Sequence, residues 1–120
     1  MSDTQNLPLY LKIYQLIKFL YGAVRNFPKQ YKYTLGSQII NGSWRCLDLI
    51  IEANAAAPPE KRQKIAELSV AFDKLKARLR MAQELRLISE GQFAHIQTNY
   101  CLEFGTMIGG WLKWSNERNF

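Results

Sequence analysis

Lys74 and Arg78 stand one helical turn apart, like charge beside like charge, and Met81 and Leu85 continue the same flank. Neighbouring cations with apolar companions suit a partner surface: the charges meet phosphates or acidic side chains, and the apolar atoms supply buried contact. Lys76 and Arg80 lie on the other side of that helix, near Asp73 and Glu84, where ordinary i,i+3 and i,i+4 pairing explains them. Lys29 and Lys32 add charge at the turn between the first two helices. On charge and position alone, Lys32, Lys74, Arg80 and Arg86 are candidate contacts for a polyanion. A second stripe, Tyr14, Lys18, Tyr21 and Arg25, alternates aromatic and basic residues along the first helix. Such a stripe could stack on bases, or it could be a solvated or subunit-facing flank.

Other residue types offer less. His95 is the only histidine, and no cysteine or carboxylate repeats around it at metal-ligand spacing, so the expectation is a surface histidine and no metal. Cys46 and Cys101 fall within helical apolar patterns with no histidine on their own faces, which reads as buried free thiols in a reducing cytoplasm. The chain shows no phosphate-cradling glycine loop and no Tyr-X-Asp-Asp run of a polymerase, so no enzyme activity and no cofactor are expected. Glu103 sits near the apolar side of the last helix, where burial would need a cation such as Arg45 or Arg86; a partly exposed position at the bundle edge is the other reading. Gly105 and Gly109, with Gly110, permit a tight helix contact within or between subunits.

These residues need elements to position them. With 120 residues, 48% hydrophobic and 22% charged, the chain supports one core and reads as a single domain over 1–120. No apolar run approaches the roughly 18 residues of a membrane span, and the first residues do not form a secretory leader, so a cytoplasmic protein without a membrane partner is expected. The net charge of +6 attracts polyanions without naming one.

Pro8 followed by Leu9, Ile13, Leu16, Ile17, Leu20 and Val24 predicts a helix over about 8–26, and residues 1–6 read as a loose tail. Phe27-Pro28-Lys29 ends that helix. A second, about 31–56, carries two apolar lines: Leu35, Ile39, Cys46 and Ile50, then Ile40, Trp44, Leu47 and Ile51. So wide an apolar arc belongs to a central helix or to one shared with another subunit. The third, about 59–88, presents the seam Ile65, Leu68, Phe72, Leu75, Leu79 and Ala82. Ser89 and Gln92 form a capping box at the start of the fourth, about 90–117, whose inward residues read as Phe93, Ile96, Tyr100, Phe104, Met107, Trp111 and Trp114. Short connections between four helices predict an all-α, antiparallel up-down-up-down four-helix bundle.

Several of these stretches together resemble a known family. Phe27-Pro28-Lys29 with Tyr33-Thr34-Leu35-Gly36, the helix from Lys64 to Leu87 with Arg78, Met81-Ala82, Glu84-Leu85 and Ile88-Ser89, and the closing Ile108-Gly109-Gly110-Trp111-Leu112-Lys113 look like the accessory variability determinant (Avd) of diversity-generating retroelements. The resemblance covers nearly the whole chain. It extends more loosely to four-helix-bundle proteins encoded in intervening sequences of bacterial 23S rRNA genes. What it implies is a homopentameric barrel of four-helix bundles that binds reverse transcriptase and RNA or DNA and supports error-prone copying of a template repeat, without catalysis of its own. By this resemblance Arg78 and Lys29 become the first candidates for contact. An rRNA intervening-sequence protein, or a structural oligomer without a nucleic-acid role, are the alternatives.

Overall fold

Pro8 opens the first long helix, α1 (Pro8–Arg25), at the position where a missing N–H costs no intrahelical bond. The computed structural model, which describes residues 4–117, continues with a single turn α2 (Lys29–Lys32), then α3 (Leu35–Ala55) and α4 (Pro58–Glu84). The last segment comprises α5 (Glu90–Ile96), a π-helical turn (Gln97–Cys101) and α6 (Leu102–Glu117). No strand occurs among the described residues. The long segments pack around one core in a rod of 48 × 23 × 22 Å, with α3 between α1 and α4 and with α6 closing the opposite side. No helix among the described residues is long and apolar enough to cross a membrane.

The seam of α4 organises the core: Ile65, Leu68, Phe72, Leu75, Leu79 and Ala82 are all buried. From Leu68 to Ala82 they share one cluster with Ile13, Leu16 and Leu20 of α1, Ile39, Cys46 and Ile50 of α3, and Phe104 and Ile108 of α6. Each fully buried side chain of this size contributes on the order of 1.5–3 kcal/mol. Phe72 and Phe104 meet edge to face at 4.9 Å between ring centroids, a preferred arrangement of the two quadrupoles. The two buried serines stay satisfied by donating back along their own helices, Ser43 Oγ to Ile40 O at 2.7 Å and Ser115 Oγ to Leu112 O at 2.9 Å. Between α3 and α4, Lys61 Nζ donates to Ala53 O at 2.8 Å and Asn54 O at 3.3 Å, bringing a cation to the carbonyl end of α3.

Four features depart from the sequence-based expectation. The second helix begins at Leu35 instead of residue 31, because α2 forms a separate turn whose end is tied by Thr34 Oγ1 donating to Gln30 O at 2.8 Å. The third ends at Glu84 instead of residue 88: Arg86 takes a left-handed backbone, φ 61°, and Leu87 N donates to Ala82 O at 2.8 Å while Arg86 N donates to Gln83 O at 2.9 Å. This is a Schellman stop, and it takes Arg86 off the line of the core seam. The expected tail at 1–6 is a 3₁₀ turn over Thr4–Asn6, with Asn54 Nδ2 donating to Thr4 Oγ1 at 2.9 Å; residues 1–3 lie outside the described residues.

The fourth departure is the π-helical turn. The expected capping box is present, with Gln92 N donating to Ser89 Oγ at 3.0 Å and Ser89 N to Gln92 Oε1 at 2.9 Å, but the helix it starts is not uniform. Five residues in the wider turn add one position to the register. Cys101 is buried, as its apolar pattern predicts, but Tyr100 is only half-buried; Ile108 and Ser115 take the inward positions that follow, and Trp114 emerges at the surface. Lys12 Nζ donates to Asn99 O at 3.3 Å within this turn and meets Glu103 Oε2 at 2.9 Å. Glu103 is thus an exposed partner of Lys12, not a buried partner of Arg45 or Arg86. Of the glycines, Gly105 faces Phe72 of α4, whereas Gly109 and Gly110 have open space where a Cβ would stand.

Candidate functional site

The corner between α1 and α3 is built from the Phe-Pro-Lys and Tyr-Thr-Leu-Gly segments. Phe27 is buried, Pro28 precedes the single turn of α2, and its carbonyl accepts from Tyr31 N and Lys32 N, both at 2.9 Å. Gly36 makes the close approach possible: a Cβ there would lie 2.7 Å from Val24 Cγ1 and 3.2 Å from Tyr31 O. This packing sets Lys32 and Tyr33 opposite Lys18, Tyr21 and Arg25 of α1, around a cleft of about 680 Å³. Trp44 Nε1 of α3 donates to Tyr21 Oη at 2.9 Å. Lys29 is exposed on the same corner and does not line the cleft.

A second groove, about 640 Å³, runs between α3 and α4 and is lined by Gln38, Asn41, Arg45, Val70, Lys74 and Arg78, among others. Arg78 Nη1 donates to Lys74 O at 3.1 Å, which folds the guanidinium back along its own helix. Farther along, Arg45 Nη2 lies 3.6 Å from Glu67 Oε1, and Lys64 Nζ lies 2.8 Å from Glu52 Oε1. The hydrogen bond from Lys64 holds the Glu52 carboxyl below its ordinary range. Asn41 lines both the groove and the cleft, so the two join into one surface across α1, α2, α3 and α4.

Of the six residues nominated from the sequence, Lys32, Lys74 and Arg78 lie on this surface, and Lys29 stands at its corner. Arg80 and Arg86 do not belong with them. Arg80 Nε pairs with Glu84 Oε2 at 3.1 Å, and Arg86 borders a different concavity with Glu84, Ser89 and Glu90. Lys18, Arg25, Arg45 and Tyr33 join the surface without having been nominated. The tyrosine and cation stripe of α1 was the available signal for the first two, but it could not show that the stripe faces Lys32.

No group of three or more His, Cys, Asp or Glu residues could hold a metal ion among the described residues. His95 lies tilted against Phe19 at 4.8 Å and edge to face with Tyr100 at 5.6 Å between ring centroids, and its Nδ1 lies 2.7 Å from Asn99 Nδ2. What the surface can do is hold anions: Lys18, Arg25, Lys32, Lys74 and Arg78 make no ion pair among the described residues, whereas Lys12, Arg45, Lys64, Lys76 and Arg80 are each paired with a carboxylate.

Neither the curated proteins nor the solved structures yielded a match. One family model did match, described as bAvd-like, over residues 9–115. That stretch begins at the first buried residue of α1, Leu9, and ends at the last of α6, Ser115, so it spans the core and both parts of the basic surface. The chain belongs to the bAvd-like family.

Proposed function

We propose that this chain is a non-catalytic accessory protein of a diversity-generating retroelement. It acts in the cytoplasm as a homopentamer that binds the element's reverse transcriptase and its template RNA or cDNA, and so supports mutagenic reverse transcription. Family membership supplies the context, and one observation carries the binding: Lys18, Arg25, Lys32, Lys74 and Arg78, none of them in an ion pair among the described residues, line two joined concavities, while Lys12, Lys76 and Arg80, each paired with a carboxylate, lie elsewhere. A surface of this kind takes a phosphate backbone or an acidic protein segment, and the net charge of +6 draws either toward it. Self-association is supported by Trp44 and Ile51, which sit on the outer apolar line of α3 at 38% and 41% exposure, large apolar groups a subunit partner would cover.

RNA binding followed across a salt series tests this reading. The double variant Lys74→Glu/Arg78→Glu weakens binding of template RNA and flattens the salt dependence by about one unit of slope for each phosphate that is no longer neutralised. Arg80→Glu, at a cation already paired with Glu84, leaves both nearly unchanged. Capture of purified reverse transcriptase by the same variants reports on the protein partner. If the double variant bound RNA and reverse transcriptase as the native chain does, the assignment would fall and a structural oligomer would take its place.

A further inference from the structure

The cleft between α1, α2 and α3 differs in chemistry from the α3–α4 groove. Lys18, Arg25 and Lys32 line it and no carboxylate does, whereas Glu67 stands in the groove. Two tyrosines share the cleft with those cations. Tyr33 is 68% exposed, and Tyr21 is 51% exposed although its hydroxyl is held by Trp44 Nε1. An exposed aromatic ring fixed at its rim keeps a face open to solvent at little entropic cost to a ligand that covers it. Gly22 also lines the cleft, and no heavy atom lies within 4 Å of where its Cβ would stand, so the space above this part of α1 is open. The concavity, about 680 Å³, is an open cleft that a strand can cross.

Three partners would use the cations, but only one would use the whole cleft. An acidic peptide would pair with Lys18, Arg25 and Lys32 and gain nothing specific from the tyrosine faces. A duplex keeps its bases stacked on one another and presents only phosphates to this surface. An unpaired strand presents both phosphates and free base faces, and a basic cleft with exposed aromatic rings matches both. We propose that this cleft binds single-stranded nucleic acid, with Tyr33 and Tyr21 stacking on unpaired bases and Lys18, Arg25 and Lys32 pairing with the flanking phosphates. The inference rests on the nucleic-acid reading above and adds to it a subsite and a preference for unpaired strands.

A labelled oligouridylate and an RNA duplex of equal length, titrated with the intact protein at moderate salt, provide the test. The single strand binds more tightly than the duplex. Tyr33→Leu weakens the single strand roughly ten- to hundredfold, the range expected for loss of a stacked base, and leaves the duplex unaffected, while Tyr33→Phe retains native binding. Gly22→Leu projects a side chain into the open cleft and also abolishes the preference. Gly22→Ala, a small substitution in a helix interior with nothing to strike, raises thermal stability and controls for folding. If Tyr33→Leu and Gly22→Leu both kept native helical circular dichroism and native affinity for oligouridylate, the cleft would not be the site. Competition by polyglutamate as strong as that by oligouridylate would assign it to an acidic protein segment and overturn the proposal. In either case, weakened RNA binding by Lys74→Glu/Arg78→Glu would leave the broader reading standing, whereas no RNA binding by the native chain would remove both.

Discussion

Burial pushes the Cys46 thiol up to about 12 and the Cys101 thiol up to about 11, because a thiolate in the core loses its hydration; Arg45 and Lys76 respectively oppose this only in part. Both thiols are free and stay protonated at neutral pH, a poor state for a nucleophile. The sign of the pH effect follows. The unfolded chain loses the Cys46 proton near the ordinary value of 9.0 and the folded chain only near 12, so between these values the unfolded state holds fewer protons. This contribution is fully present below pH 9 and is lost as pH rises toward 12, by up to about 1.4 kcal/mol per pH unit for one thiol. Urea unfolding across that window shows it: Cys46→Ala is less stable at pH 7 because of the cavity, yet loses less on going alkaline. An unchanged slope in the variant would place the loss on other groups. The buried thiols were legible from their neighbours, since Cys46 and Cys101 each sit in an apolar helical pattern. The Lys12 to Glu103 pair was not, because the residues that meet are far apart in sequence and the turn that joins them has no signature.

The helices were legible where periodicity is strong and were missed where termination depends on backbone geometry. All six seam residues of α4 are buried as their spacing requires. Its end falls earlier than periodicity predicts because the left-handed stop position holds Arg86 where glycine is usual. A side chain in that conformation costs about 1–2 kcal/mol, so Arg86→Gly relieves strain while loosening the unfolded chain. The net expectation is a gain of about 1 kcal/mol and a rise of a few degrees in melting temperature, with no gain from Arg86→Ala. A calorimetric scan of the two variants decides whether the position serves the helix stop. The π-helical turn was illegible for a related reason. Lys12 of α1 donates to a carbonyl within it, and nothing local in Gln97–Cys101 announces it. At the site, Lys74 and Arg78 were readable because one helix carries both; the cleft was not, because three elements have to meet before Lys18 and Lys32 become neighbours.

The whole molecule is a rod whose outer α3 line is incompletely covered, and the proposed pentamer gives that line a partner. Light scattering coupled to size exclusion at moderate salt then reports a mass near five times 13.9 kDa, about 70 kDa; a monomer or dimer would sink the ring and leave the basic surface to be explained alone. Subunit number is not legible in the sequence by physics, since exposed Trp44 and Ile51 ask for cover without counting the copies that provide it.

The uneven placement of charge along the rod has a consequence for how encounters begin. Arg25, Lys29, Lys32, Lys74 and Arg78 gather toward the end where α1 stops and α3 starts, in a molecule 48 Å long. At physiological ionic strength fields fade over about 8 Å, so an approaching polyanion feels that end while the other is electrically out of range. Under the proposed binding, an incoming strand is therefore aligned to that end before contact, and added salt slows capture by removing this alignment before it weakens the finished contact.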